Sequence, residues 1–256
     1  MRLLCVIYIK NLNRPKILSV DLETTANQGY YWGQNFETGI IETIEYWKIL
    51  SYATKWLHGK SIVRGWIDTK NEENLVKELW KLLDEADIVI AHNGKSFDIK
   101  KANTKFLEYD LGLPSPYKLI DTKIEAKKYL SLPSYSLNNI CDKFGFGHKI
   151  EHEGWELWKK CIAGDKKSWD KMKRYNLHDV ILLEKVYLKL RPLMTNHPNL
   201  TLWNKSHSCP KCGGTTLHRG GYYTNATTCY QVWRCADCRG QMRERLNLFS
   251  PQLTNI

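Results

Sequence analysis

Residues 16–22 (KILSVDL) constrain the fold more than any other stretch of this 256-residue chain. They form a compact apolar run ending in acids, which reads as a buried strand from which the chain emerges at Asp21. Residues two apart on a strand share a face, so Asp21 and Glu23 stand side by side. Two carboxylates held together repel unless a cation sits between them. Surface strands also alternate acids, and only the placement of Asp21 inside an apolar run weights the phrase toward function.

The text around this strand is that of an α/β domain. Residues 47–56 and 61–67 read as strands about a turn at Gly59, and 71–85 space leucines at helical intervals. A short β-branched run at 86–91 leads into a helix over 96–108. A strand over 119–122 and helices over 123–129, 136–144 and 169–190 follow. Strands first, then alternating helices and strands, predict a mixed five-stranded sheet flanked by helices. Pro192 ends the last helix. The expected division is a domain over 1–192, with an extra N-terminal strand and turn in 1–15, then a linker over 193–206 and a cysteine module over 207–256.

The first ten residues resemble the start of a signal peptide, but their apolar run is short and no small-residue cleavage site follows. A strand over 2–9, pairing with 16–21 across an Asn-Leu-Asn-Arg-Pro turn, is the better reading. No stretch has the apolar length to span a membrane, and the expected location is the cytoplasm. The net charge of +11 points to a polyanionic partner such as nucleic acid, although solvated lysines alone can produce it.

Two further phrases carry acids. Asp98, in His92-Asn93 followed by Phe97-Asp98, lies just past the C-terminal end of the 86–91 strand, where ligands gather in open α/β sheets. It also fits a first-turn helix acid favoured by the macrodipole, and Asn93 fits a turn residue. Tyr175 and Asp179 lie four apart on a helix and share a face. Tyr175 also fits a core-edge aromatic, and His178 reads as surface or packing. Together the phrases offer four carboxylates and a phenol, a set able to hold two divalent metals, and two metals spaced for in-line displacement cleave phosphodiesters.

In order and spacing, Asp21-Leu-Glu23-Thr24-Thr25, His92-Asn93-x-x-x-Phe97-Asp98 and Tyr175-x-x-x-Asp179 resemble the three exonuclease motifs of the DEDD, DnaQ-like superfamily. The tyrosine, with Arg174 where the DEDDh branch has histidine, matches the DEDDy branch. The nearest resemblance is to phage and prokaryotic exonucleases related to the exonuclease domain of family B polymerases, which have an RNase H-like fold. Tyr30-Tyr-Trp-Gly33, Thr54-Lys-Trp56, Leu119-Ile-Asp-Thr122, Ser134-Tyr-Ser-Leu137 and Trp158-Lys-Lys160 fit as well, so the resemblance covers about residues 16–192. It implies that Asp21, Glu23 and Asp179 coordinate the metal that activates water. Asp21 would bridge to a second metal supported by Asp98, and Tyr175 would orient the attacking water. Magnesium or manganese suits an all-oxygen site. Thr24 and Asn93 become contacts to the terminal nucleotide, and Asp121, which matches a family acid, is left structural. The activity implied is 3′→5′ hydrolysis at single-stranded ends, of DNA in preference to RNA, beside replication or repair proteins in a bacterial or phage-infected cell.

Four of the eight cysteines form two C-x-x-C pairs, Cys209/Cys212 and Cys235/Cys238, bracketing a β-rich stretch over 217–234. Four thiolates at this spacing fit one structural zinc in a ribbon, with a redox dithiol as the weaker alternative. His207 and His218 lie near, but four cysteines already complete the shell. Cys5, Cys141, Cys161 and Cys229 are scattered, which suits a reducing compartment rather than a disulfide framework. Arg219, Arg234, Arg239, Arg243 and Arg245 interleave with Tyr222, Tyr223, Tyr230 and Trp233. That mixture serves single-strand binding or merely a small core with a solvated rim. Two other functions stay open: a non-catalytic nucleic-acid-binding adaptor, and an RNase H-like endonuclease. In the latter the ribbon would interrupt the catalytic domain before its last acid.

Overall fold

The computed structural model describes residues 14–32, 39–204, 207–249 and 251–252, so the strand expected over 2–9 lies outside the described residues. The chain divides into two compact units between Tyr187 and Leu188. The first holds β1 (Ile17–Thr24), β2 (Gln28–Tyr30), β3 (Glu42–Glu45), β4 (Ile49–Trp56), β5 (Ser61–Gly65), α1 (Trp66–Thr69), α2 (Glu72–Glu85), β6 (Ile88–Ala91), α3 (Asp98–Glu108), β7 (Lys118–Asp121), α4 (Thr122–Tyr129), α5 (Leu137–Lys143), α6 (Trp155–Ile162) and most of α7 (Lys166–Leu190).

Five strands form one mixed sheet in the order β5-β4-β1-β6-β7. β4 runs antiparallel to β1 and β5, whereas β6 is parallel to both β1 and β7. The mixed five-stranded sheet with flanking helices is the architecture expected from the alternation of elements. Strand β1 is central, and its alternation assigns its two faces. Leu18, Val20 and Leu22 pack in a core with Leu75, Val76, Leu79 and Leu83 of α2 and Ala102 and Phe106 of α3. Asp21 and Glu23 fall on the opposite face by alternation, and there Asn176 of α7 bonds to Asp21. Met172, Val180, Leu183 and Val186 of α7 are all buried, as its amphipathic spacing required.

Several boundaries differ from the sequence reading. Strand β5 stops at Gly65, whose amide donates to Asp68 Oδ2 at 2.9 Å and starts the single turn of α1. Helix α7 begins at Lys166, three residues before its first buried tryptophan, Trp169. The β2–β3 hairpin and α6 were not anticipated. Tyr30, Trp32 and Ile44 of the hairpin region are exposed, so no inward alternation marks it as a strand pair.

The second unit contains α8 (Thr201–Asn204) and an antiparallel sheet of β8 (Leu217–Thr224), β9 (Cys229–Cys235) and β10 (Gln241–Arg243), in the order β10-β9-β8. The stretch read as a linker therefore carries a short helix. The Leu200 N–H donates to Pro210 O at 2.7 Å, tying the stretch to the cysteine module. Among the described residues, no helix is long and apolar enough to cross a membrane.

Candidate functional site

The C-terminal end of β1 runs past its parallel neighbour, since β6 pairs only with Ile17–Ser19. Leu22 N–H accordingly lacks a strand acceptor there, and Asp98 Oδ1 supplies one at 2.9 Å. Asp98 is the first residue of α3 and only 3% exposed. It reaches this position through a tight turn after β6. Asn93 adopts φ +68° in that turn, and a Cβ on Gly94 would meet the Ala91 Cβ at 2.2 Å. Asn93 is thus a left-handed turn residue, whatever else it does.

Asp21 and Glu23 meet Asp179 from α7, with ligand oxygens of all three within 4.8 Å of one another. Asp98 lies outside that group but close enough to raise the Asp21 pKa. Burial is the main reason that all four carboxyls titrate high; repulsion by the neighbouring acids adds to it at Asp21 and Glu23, and Asp121 adds to it at Asp98. Glu23 is pushed to about 8 and Asp98 to about 7, while Asp21 and Asp179 shift upward too. One oxygen, Asp179 Oδ1, is buried with no hydrogen-bond partner. An acceptor left bare among carboxylates fits a site for a hard divalent cation, which would hold the acids ionised.

Two residues missed by sequence reasoning complete the group. Lys149 Nζ lies 2.6 Å from Asp179 Oδ2 and 3.3 Å from the Tyr175 hydroxyl. Burial pulls its pKa down, but Asp179, Tyr175 and Asp21 outweigh that and keep it protonated. Asn176, fully buried, donates from Nδ2 to Asp21 Oδ2 at 2.6 Å. Its own Oδ1 accepts from the Ser51 hydroxyl at 3.1 Å, which fixes the amide orientation. The only sequence signal for Asn176 is its place between Tyr175 and Asp179 on one helix. Lys149 sits in a loop without pattern.

Tyr175 is 7% exposed and packs with Leu50, Leu157, Cys161, Trp169 and Met172, with His152 edge-on at 4.7 Å. It is both a core-edge aromatic and a phenol beside the acids; burial, then Glu23 and Asp179, raise its pKa. Thr24 ends β1 at a register shift after Glu23. His92 is held by Thr122 Oγ1 and Tyr135 O, and burial lowers its pKa to about 4. Asp121 accepts from the amides of Asn93, Lys95 and Lys123, capping α4 and pinning the turn, as a structural acid would. His178 bonds to His148 O.

These shifts carry a pH prediction. Unfolded carboxyls titrate near 4 to 4.5, so between about pH 5 and 8 the folded state binds more protons than the unfolded one. Its stability is therefore present at low pH and lost as pH rises through the folded values. In protein free of Mg²⁺ and Mn²⁺, the melting temperature should fall over this window by more than in Glu23→Gln, and Mg²⁺ should restore it. Scanning fluorimetry in parallel buffers reads the difference, and identical profiles would contradict it.

In the second unit, Cys209, Cys212, Cys235 and Cys238 form a group whose sulfurs lie within 4.8 Å of one another. Cys209 Sγ is 3.7 Å from Cys238 Sγ, and Cys212 Sγ is 3.6 Å from Cys235 Sγ. Tetrahedral zinc with Zn–S near 2.3 Å implies S···S edges of about 3.8 Å, so the donors fit. The two knuckles repeat one geometry. Gly213 and Arg239 both take left-handed φ, of +79° and +60°. Gly214 and Gly240 amides point at Cys212 and Cys238 Sγ, at 3.3 and 3.4 Å. His207 instead lies edge-on to Trp233 at 5.5 Å.

A family model described as the RNase_H superfamily matches residues 20–191. Among solved structures, the chain is similar to a family B DNA polymerase from the hyperthermophilic archaeon Pyrobaculum calidifontis. The TM-score is 0.53 at 15% identity, over 70% of this chain and 25% of the polymerase. The chain thus spans about a quarter of that polymerase's length, and the likeness is one of fold. No curated protein sequence matches. The matched span contains Asp21, Glu23, Asp98, Tyr175 and Asp179. With its strand order and its central acid-bearing β1, the chain belongs to the RNase_H superfamily.

Proposed function

We propose that this chain is a metal-dependent 3′→5′ exonuclease of the DEDDy type, hydrolysing phosphodiester bonds at single-stranded nucleic-acid ends. The observation that carries the reading is the convergence of Asp21, Glu23 and Asp179 around a buried carboxylate oxygen with no partner. Bound there, two Mg²⁺ or Mn²⁺ ions would supply a hydroxide nucleophile at neutral pH and stabilise the leaving 3′ oxygen. Asp21, Glu23 and Asp179 would hold one ion, and Asp98 would help Asp21 hold the other. The Tyr175 hydroxyl orients the attacking water. Lys149 offsets charge at Asp179 and positions that hydroxyl. Thr24 and Asn93 contact the terminal nucleotide. The cysteine module, over 207–256, holds one structural Zn²⁺.

Asn176 fixes one oxygen of Asp21 and leaves the other free. Removing such a support costs about 10–100-fold in metal affinity or activity. Asn176→Ala should therefore raise the Mn²⁺ concentration for half-maximal cleavage by about that factor, along with the lower melting temperature that follows from unpairing Ser51 and Asp21, whereas an unchanged metal requirement in the folded variant would make the residue merely structural.

Linear and covalently closed single strands, incubated with Mg²⁺ or Mn²⁺, test the proposal. The linear strand should be degraded and the circle left intact. A cut circle would favour the endonuclease, and binding without degradation the adaptor.

A further inference from the structure

The family match ends at residue 191, so it assigns nothing to the cysteine module. From His207 onward, Lys211, Arg219, Arg234, Arg239, Arg243 and Arg245 face only two acids, Asp237 and Glu244. The sheet sorts the arginines and rings onto two faces. Along β9, Gln231, Trp233 and Cys235 alternate with Tyr230, Val232 and Arg234. The first set is committed inward. Gln231 is buried and donates to the carbonyls of Gly220 and Gly221, and accepts from Arg219 Nε. Trp233 Nε1 donates to Glu244.

The second set lies on the outer face. Tyr223 pairs with Tyr230, and Arg243 with Val232, in the strand register. The Arg243 guanidinium sits 4.0 Å from the Tyr230 ring centroid and 5.3 Å from that of Tyr223, which remains 49% exposed. Arg234, exposed, continues the face opposite His218. Of the module's two acids, Glu244 is spent on Trp233, and Asp237 lies in the second knuckle beside Cys235 Sγ.

We propose that this outer face, formed by Tyr223, Tyr230, Arg234 and Arg243, binds single-stranded nucleic acid independently of the catalytic acids. Stacked rings and guanidinium planes accept any base, and arginines that pair with no acid among the described residues neutralise phosphates. The charge complementarity selects a polyanion over an apolar protein surface. The proposal shares a substrate class with the nuclease reading, but its binding is read without turnover, so either can fail alone.

The test uses the full chain carrying Asp21→Ala, with a fluorescein-labelled single-stranded oligothymidylate and anisotropy over a range of KCl. Tyr223→Ala with Tyr230→Ala should raise Kd by about tenfold or more. Arg234→Gln with Arg243→Gln should also weaken binding and flatten the slope of log Kd against log salt by about 1.4, at roughly 0.7 for each phosphate contact. The arginine variants alter exposed side chains, so retained zinc, measured on the same samples, keeps them informative if the tyrosine variant unfolds. Unchanged affinity and salt slope in zinc-loaded arginine variants would overturn the proposal.

Discussion

Replacing Asp21 or Asp179 with alanine should abolish cleavage, lowering the single-turnover rate by more than about a thousandfold. Losing a ligand to an activating ion forfeits several kcal/mol of transition-state stabilisation, and each 1.36 kcal/mol is about tenfold in rate. The fold should survive. Asp21 is buried among acids that repel it, so removing it relieves the metal-free protein, whereas removing Asp179 leaves Lys149 without its ion-pair partner. Without divalent ions the melting temperature should therefore hold or rise in Asp21→Ala and hold or fall in Asp179→Ala, and in both its increase on adding Mg²⁺ should shrink. A variant that loses activity together with its fold would say nothing of chemistry, and circular dichroism separates the cases. Asp98→Ala should act differently. Asp98 also caps the free Leu22 amide, so its loss should cost stability as well as rate.

Replacing Cys209 and Cys238 with serine should eliminate zinc from the purified chain and unfold the cysteine module. Zinc in such sites contributes about 10–16 kcal/mol of apparent binding energy at neutral pH, more than a small three-stranded sheet recovers from its own core. Elemental analysis should find no zinc in the variant. Limited proteolysis should then trim the chain from its C-terminus and spare a fragment containing Lys16–Tyr187, the unit that carries the main sheet. A variant that binds no zinc yet resists proteolysis would show that the module stands on its hydrogen bonds and rings alone.

Much of this was legible in the sequence because buried central elements carry strong patterns. Strand β1, helix α2 with its Asn71 cap, and strand β6 follow their apolar periodicities within a residue or two. The β2–β3 hairpin escaped because its large side chains face solvent, so neither alternation nor burial marked it. The acids were readable because chemistry demands carboxylates in a fixed order along the strands and helix that hold them. Lys149 and Asn176 were not. A lysine contributes to this site only through a fold that brings a patternless loop against α7. An asparagine becomes informative only once Ser51 and Asp21 are seen on either side of it. Asp98 shows the opposite limit, since the family resemblance implied support of a metal and the structure gives one of its oxygens to a backbone amide.

Degradation by the acid group from the 3′ end leaves its signature in the lengths of the products. A single-stranded oligonucleotide labelled at its 5′ end, with either a free or a phosphorothioate-blocked 3′ terminus, is incubated with the zinc-loaded chain and Mg²⁺ and resolved by length over time. The free strand should give a ladder shortening one nucleotide at a time from the full-length product, while the blocked strand stays intact. Immediate release of a labelled mononucleotide, internal fragments from the blocked strand, or no product with either Mg²⁺ or Mn²⁺ would contradict it.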